Sequence, residues 1–263
     1  MTVALPTAEP PRDHLLAYCL VDDDGLPLAS SSADEPFYAA STIKLLVLST
    51  LLNASAADRV SLASQVSVAG SFTGSDGTSF QLTGDHVDPA HPHTGARVSL
   101  RELAHRMIAR SSNEATNQLV ELLGFDACRA EAQRLSLTSA TRLERLIGDA
   151  SALKAGLTNT VSARDLTTLL RAVTTSTLPR AEAECAWAAL SDQQIPIIGR
   201  ALLPGIRWGS KSGWVDGYRH DGASIQTPTG LVHLAVLTRG WDEEEADRAI
   251  MDVTRRLLPD LCR

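Results

Sequence analysis

A serine and a lysine three residues apart are the first feature of this sequence that could do chemistry. In Ser41-Thr42-Ile43-Lys44, the spacing places the hydroxyl and the amine on one face of a helix, close enough to exchange a proton. The residues that follow are apolar nearly without interruption as far as Leu52, which predicts a helix buried in the core. Free backbone N–H groups at its N-terminus could stabilise the oxyanion formed when Ser41 attacks a carbonyl. The structural alternative is a helix cap with a lysine that reaches solvent.

A lysine serves as a base only when its pKa is depressed, and both burial and a second cation have that effect. Lys211-Ser212-Gly213 offers such a cation after a strand-like segment, and its small residues would let a substrate backbone lie along the strand. The alternative for Lys211 is a solvated strand residue. Lys44 and Lys211 are two of only three lysines among 24 basic residues, which makes their positions informative.

Between these motifs lies Ser111-Ser112-Asn113, in which Ser111 could relay a proton and Asn113 could hold a substrate amide. An ordinary loop or helix-cap pair is the alternative. Ser151-Ala152-Leu153-Lys154 repeats the Ser-x-x-Lys spacing. It follows the Ser-x-Asn segment and has no long apolar helix behind it, so it is not a candidate.

The elements that must position these residues follow from the hydrophobic pattern. Strands are predicted near both ends of the chain, and helices between them, including one with a Ser99/Glu102 capping box and one that opens at Ser162. This pattern predicts a mixed α/β (α+β) fold, with an antiparallel sheet assembled from distant segments and an inserted helical region. The predicted strands are 15–21, 26–30, 206–214, 219–226 and 231–237, and a last helix is predicted over 243–258.

The motif order Ser-x-x-Lys, Ser-x-Asn, Lys-Ser-Gly resembles that of the class A β-lactamases and D,D-peptidases, the penicillin-recognising serine enzymes. The similarity extends to 98–103 and 111–117, to 141–145 as the entrance of the class A omega loop, and to 159–170 as its exit. The resemblance implies one catalytic unit over 1–263, with a sheet part (14–39 and 200–263) and a helical part (40–199). It also implies that Ser41, Lys44, Ser111 and Lys211 are catalytic and that Asn113, Ser212 and Gly213 bind substrate.

The chain departs from the class A pattern at several places. Ile147 stands two residues after Arg145, where the family carries the glutamate that positions the deacylating water, so fast lactam turnover is not expected. Asp149 is either a substitute for that acid or a capping residue. Ser112 stands where class A usually has aspartate.

The resemblance also places a substrate-binding surface on the strands near Lys211. Trp214 follows Lys211-Ser212-Gly213, where the family contributes an oxyanion N–H, and its indole should reshape the pocket. Arg219 or His220 could hold a substrate carboxylate, because the family keeps a cation on the adjacent strand; either could equally be a solvated strand residue.

Composition excludes other function classes. A net charge of −7 without a basic stripe argues against nucleic acid, and no membrane partner is indicated. The histidines and aspartates of 85–93 could ligate a metal, but their prolines and spacing favour a polar loop at the rim of the cleft, and neither metal nor cofactor is expected. Residues 1–13 lack the features of a secretory signal and the four cysteines are scattered, which predicts a cytoplasmic protein with packed thiols.

We therefore expect a serine hydrolase that forms an acyl-enzyme on Ser41 from an amide, lactam or ester, with slow β-lactam turnover. A penicillin-binding or sensor module that acylates without turnover is one alternative, favoured by Ile147. A scaffold that has kept only the fold is another, and the complete set of acylation residues argues against it. The natural substrate, the acyl acceptor and the oligomeric state are left open by the sequence.

Overall fold

A computed structural model describes residues 13–175 and 177–263 of the chain. The N-terminal segment on which the expectation about export depends lies outside the described residues, apart from Asp13. The four cysteines are free, with Cys19, Cys128 and Cys185 buried and Cys262 half-buried. Within the described residues, no helix combines the length and the apolar character needed to cross a membrane.

Strands occur in both terminal parts of the chain and, as short pairs, in its middle. In chain order they are β1 (Leu15–Asp22), β2 (Pro27–Ser31), β3 (Phe37–Tyr38), β4 (Gln65–Ser67), β5 (Phe72–Thr73), β6 (Ser79–Phe80), β7 (Arg97–Ser99), β8 (Arg142–Leu143), β9 (Asn159–Val161), β10 (Trp208–Val215), β11 (Tyr218–Thr227) and β12 (Gly230–Arg239). The main sheet has the antiparallel order β10-β11-β12-β1-β2, so the chain ends meet in its centre. The predicted mixed fold with a sheet built from distant segments is confirmed.

Helices fill the region between β3 and β10, and one more follows β12. They are α1 (Lys44–Ala56), α2 (Leu100–Ala109), α3 (Asn113–Leu123), α4 (Phe125–Arg134), α5 (Ala150–Lys154), α6 (Ala163–Thr174), α7 (Arg180–Ser191), α8 (Ile198–Ala201) and α9 (Glu243–Leu257). The predicted caps are present, since the Ser99 and Ser162 side chains accept hydrogen bonds from the backbone N–H groups of Glu102 and Asp165.

The two faces of the sheet pack against different helices. Along β12, Leu234 and Val236 belong to the apolar cluster that contains Ile250 of α9, whereas Ala235 and Leu237 belong to the larger cluster around α1 and α6. This alternation follows from the two-residue period of a strand. The same alternation determines which side chains of β10 and β11 can face α1.

The sequence missed some elements and smoothed others. Helices α4 and α7 were not predicted, nor were the short pairs β4/β7 and β5/β6. The helix predicted from the Ser99/Glu102 capping box is α2, and it is separated from α3 by a break at Ser111, whose φ of 58° lies in the left-handed region. A non-glycine residue in this region is uncommon and needs support from its surroundings.

Candidate active site

Ser41 lies in a single 3₁₀ turn (Ala40–Ile43) that leads directly into α1. The preceding residue, Ala40, has a φ of 46°, a left-handed conformation that turns the chain sharply into the helix. Ser41 is half-buried, whereas Lys44, one turn later, has no exposed surface. The predicted helix is therefore present, but its first turn is tighter than an α-helix.

The Lys44 side chain crosses to the break between α2 and α3. Its Nζ donates to the Ser111 backbone oxygen at 2.6 Å, to Ser111 Oγ at 3.1 Å and to Asn113 Oδ1 at 2.8 Å. The Ser111 hydroxyl can act as donor or acceptor, so this shell satisfies a neutral amine, whose lone pair would accept from Ser111, as well as an ammonium. Lys44 is thus hydrogen-bonded to two other predicted site residues, Ser111 and Asn113.

The surroundings of Lys44 disfavour its charged form. Burial lowers the pKa of Lys44 well below its usual 10.5, and the Lys211 ammonium lowers it further, while the carboxylates of Glu114 and Asp88 raise it in part. An amine that is neutral near pH 7 can accept a proton from a nearby hydroxyl.

Lys211 is also without exposed surface and lies in the middle of β10. Its Nζ donates to the Ser212 backbone oxygen at 2.7 Å. Burial lowers the pKa of Lys211 to about 7, and the charge of Asp221 opposes this shift. Asp221 is itself fully buried and accepts from the backbone N–H groups of Ile197 and Ile198; burial raises its pKa to about 6. Lys211 can therefore keep or lose its proton near neutral pH.

Gly213 is the point at which β10 touches the nucleophile turn. A Cβ added to Gly213 would lie 2.9 Å from the Ser41 backbone nitrogen and 3.0 Å from that of Thr42. Contacts this short are not tolerated without displacement of backbone, so only glycine allows the approach. The strand edge and the start of α1 are held together at the backbone level.

The register of the β10/β11 hairpin determines which backbone groups point to the open edge of β10. A two-residue loop joins Val215 to Tyr218, which makes their pair the hydrogen-bonded one. Pairs alternate in an antiparallel ladder, so the backbone groups of Trp214 and Ser212 point away from β11 to the open edge. The N–H group of Trp214 thus points to the open edge of β10, one residue after the glycine that contacts the backbone of Ser41. The Trp214 side chain is 52% exposed.

Ile147 is held close to the same helix that carries Asn113. Its backbone N–H donates to Asn117 Oδ1 and its backbone oxygen accepts from Asn117 Nδ2, both at 2.8 Å. Asn117 is buried and lies four residues after Asn113, on the same face of α3. The loop residue that lacks a carboxylate therefore lies one helical turn from the Lys44 shell.

Asp149 is a capping residue in this structure. It accepts from the Ala152 N–H at the start of α5, from the Ser75 N–H and from the Ser151 hydroxyl. Burial opposes its ionisation, but these hydrogen bonds prevail and lower the pKa of Asp149. Of the two interpretations considered for this residue, the structure favours the cap.

Arg219 and His220 project from opposite faces of β11, and neither is free to hold a substrate carboxylate. Arg219 lies on the α9 side, where its guanidinium pairs with Asp247 at 2.7 Å and Glu243 at 3.1 Å. His220 lies on the other side, without exposed surface, between the Tyr38 backbone oxygen and the Thr238 N–H. Burial lowers the pKa of His220 to about 4, so its ring is neutral. In this structure ion pairing occupies Arg219 and burial encloses His220, and the substrate-binding role expected for one of them stays a prediction.

The histidine-rich loop packs beside the Ser111–Asn113 segment. The His86 backbone oxygen accepts from Asn113 Nδ2, and Asp88 pairs with Arg110 at 2.9 Å. Within the described residues, no three His, Cys, Asp or Glu side chains converge as metal ligands. The loop supports the site through its backbone.

Sequence reasoning missed Glu114, Asn117 and Asp221, all buried beside residues that it did select. The spacing of Asn113 and Asn117 could have indicated a shared helix face. Asp221 gave no local signal, because its relation to Lys211 depends on the register of two strands.

The fold is that of the serine hydrolases of the β-lactamase type. The chain belongs to the beta-lactamase enzyme family, whose model matches residues 16–260. No curated protein matches the sequence.

Several solved structures share this fold. The β-lactamase from Sphaerobacter thermophilus DSM 20745 is 26% identical, with 95% of this chain and 92% of that chain covered and a TM-score of 0.77. A β-lactamase from Xanthomonas campestris pv. campestris str. ATCC 33913 is 22% identical over 94% and 91% of the two chains, with a TM-score of 0.76. A mutant of PBP-A, in acyl-enzyme complex with penicillin G, is 22% identical over 94% and 90%, with a TM-score of 0.75.

The close approach at Gly213 leads to a prediction. Gly213→Val should slow acylation of Ser41 by about 100-fold, because the new side chain displaces β10 from the nucleophile turn, and misplacement of about 1 Å has costs of that order. The rate is measured by stopped-flow with an activated ester, and urea unfolding establishes that the variant is folded. A folded variant with the wild-type rate would contradict the view that acylation of Ser41 requires the close approach of β10 at Gly213.

Proposed function

We propose that this protein is a serine hydrolase that forms an acyl-enzyme on Ser41 from an amide, lactam or ester. The observation that carries the proposal is the buried Lys44 amine, hydrogen-bonded to Ser111 and Asn113 one turn after a half-buried serine. Burial of a charged lysine is energetically unfavourable unless ionic partners compensate for the charge. Lysines with strongly perturbed pKa values concentrate at catalytic sites.

In the proposed reaction, Lys44 removes the proton of Ser41 while Ser41 Oγ attacks the substrate carbonyl carbon. The charge that develops on the carbonyl oxygen is stabilised by the N–H groups of Ser41 and Trp214, at the start of α1 and at the open edge of β10. Lys44 then returns a proton through Ser111 to the leaving group, with Lys211 as electrostatic support. Ser212, Gly213 and Asn113 bind the substrate backbone alongside β10.

Deacylation is proposed to be the slow half of the cycle. Ile147 cannot accept a proton, and Asp149 is engaged by three hydrogen bonds as a helix cap. Water or another acyl acceptor would therefore depend on Lys44. The same observation favours the second candidate, a binding or sensor module that acylates and does not turn over.

The nucleophile is tested by intact mass spectrometry. Wild type exposed to penicillin G or to a p-nitrophenyl ester should gain the mass of the acyl group, and Ser41→Ala should gain none, because the alanine has no hydroxyl to acylate. An adduct on both proteins would contradict the proposal, as would wild type that gives neither an adduct nor hydrolysed product. The second result would favour a scaffold that has kept only the fold.

The role of Ile147 is tested by supplying the missing carboxylate. Ile147→Glu should release the acyl group faster by about 100-fold or more, since a positioned general base contributes effects of that size. The decay of the adduct is followed by mass spectrometry. Ile147→Gln, which matches the glutamate in size but is not basic, should decay at the wild-type rate.

A further control concerns the neighbouring acid. Asp149→Asn keeps a side chain that can cap α5 and should leave adduct decay unchanged. Rapid deacylation by wild type that is lost in Asp149→Asn would show that Asp149 is the missing base and would overturn the proposal of slow turnover.

A further inference from the structure

A buried glutamate next to the Ser111–Asn113 segment has no part in the proposed reaction steps. Glu114 is 9% exposed and sits in the first turn of α3. Its Oε2 accepts from Ser112 Oγ at 3.0 Å and its Oε1 accepts from the Asp88 backbone N–H at 2.9 Å. The carboxylate thus connects the segment that binds Lys44 to the loop that packs against it.

Ser112 links this carboxylate to both of its neighbours in the chain. Its hydroxyl also accepts from the Ala115 N–H and lies 3.2 Å from His91 Nδ1. Ser111 and Asn113, on either side, provide all three acceptors of the Lys44 amine. Because Ser111 has the strained φ of 58°, its position depends on such external contacts.

We infer that Glu114 is a positioning residue for acylation, whose carboxylate fixes the Ser111–Asn113 segment through Ser112 and supplies negative charge near Lys44. This inference rests on the proposed function, since it concerns the same reaction. The carboxylate beside this segment comes from Glu114, because Ser111-Ser112-Asn113 itself has no acidic residue.

The charged groups around Lys44 define the expected pH dependence. Lys211 faces it from β10, and Glu114 and Asp88 face it from α3 and the adjoining loop. Arg110 pairs with Asp88, His91 contacts Ser112, and the charge of Asp221 acts on Lys211 from the opposite face of the sheet. Acylation requires neutral Lys44, so its rate rises with pH as Lys44 loses its proton. Glu114 favours the charged form of Lys44, so the rise in acylation rate occurs at a higher pH than it would without Glu114.

The test is the pH profile of Ser41 acylation by a p-nitrophenyl ester in two variants of the full chain. Glu114→Gln retains hydrogen-bonding groups at both contacts but removes the charge. It should move the acidic limb to lower pH, with a several-fold higher rate on that limb and an unchanged alkaline limb. Glu114→Ala removes the contacts as well and should lower the maximal rate by roughly 10- to 100-fold, as expected for a displaced catalytic segment.

Two controls separate positioning from general stability and from histidine titration. Glu182 is a matched buried glutamate that accepts from a serine hydroxyl of α1, at Ser55, and is not among the charges acting on Lys44. Glu182→Gln should leave the profile unchanged. The limb shift caused by Glu114→Gln should persist when His91→Gln is also present.

The outcomes distinguish the inference from the proposed function. If wild type is acylated and the profile of folded Glu114→Gln overlaps that of wild type, the inference is overturned while the proposed function stands. An equal shift in Glu182→Gln would also overturn it. If wild type itself is not acylated at any pH, the proposed function fails first.

Discussion

Burial of two lysine side chains at one place is the constraint on which the site depends. Neither Lys44 nor Lys211 has exposed surface, and a charged ammonium out of water is unfavourable unless other groups compensate for it. The fold resolves this by giving Lys44 three oxygen acceptors and by placing Asp221 near Lys211. These groups compensate for burial only in part, so the pKa values of both lysines stay below the usual value. A depressed pKa is the property that a lysine base requires.

The backbone around these lysines is specified as closely as the side chains. Left-handed residues at Ala40 and Ser111 set the directions of the turn that carries Ser41 and of the segment that binds Lys44. Gly213 lets the edge of β10 reach the backbone of Ser41, and Asn117 clamps the backbone of Ile147 on both sides. These contacts hold the reacting groups on rigid elements. The backbone at Ile147 is therefore held in place by Asn117, although the Ile147 side chain has no carboxylate.

The sequence predicts the fold well because its signals are local. The strand pattern at 231–237, the capping serines of α2 and α6 and the apolar run of α1 each act within a few residues, and all appear in the structure. The grouping of Lys44 with Ser111 and Asn113 follows from motif order. The surroundings of Arg219 and His220 could not be predicted from local signals. Which face of β11 each side chain occupies depends on strand register, and the ion pair of Arg219 depends on Asp247 of α9. Glu114 was missed because its carboxylate acquires a role only when the 85–93 loop packs against it.

Activation of Ser41 by Lys44 requires that the pKa of Lys44 lie well below its usual 10.5. The chain has only three lysines, so NMR of protein labelled with ¹³Cε-lysine gives three signals, which Lys154→Arg and Lys44→Met would assign. The Lys44 signal should titrate well below 10.5 and the Lys211 signal at about 7. A Lys44 signal that titrates at about 10.5 would contradict the account, because a lysine that stays protonated at neutral pH cannot activate Ser41.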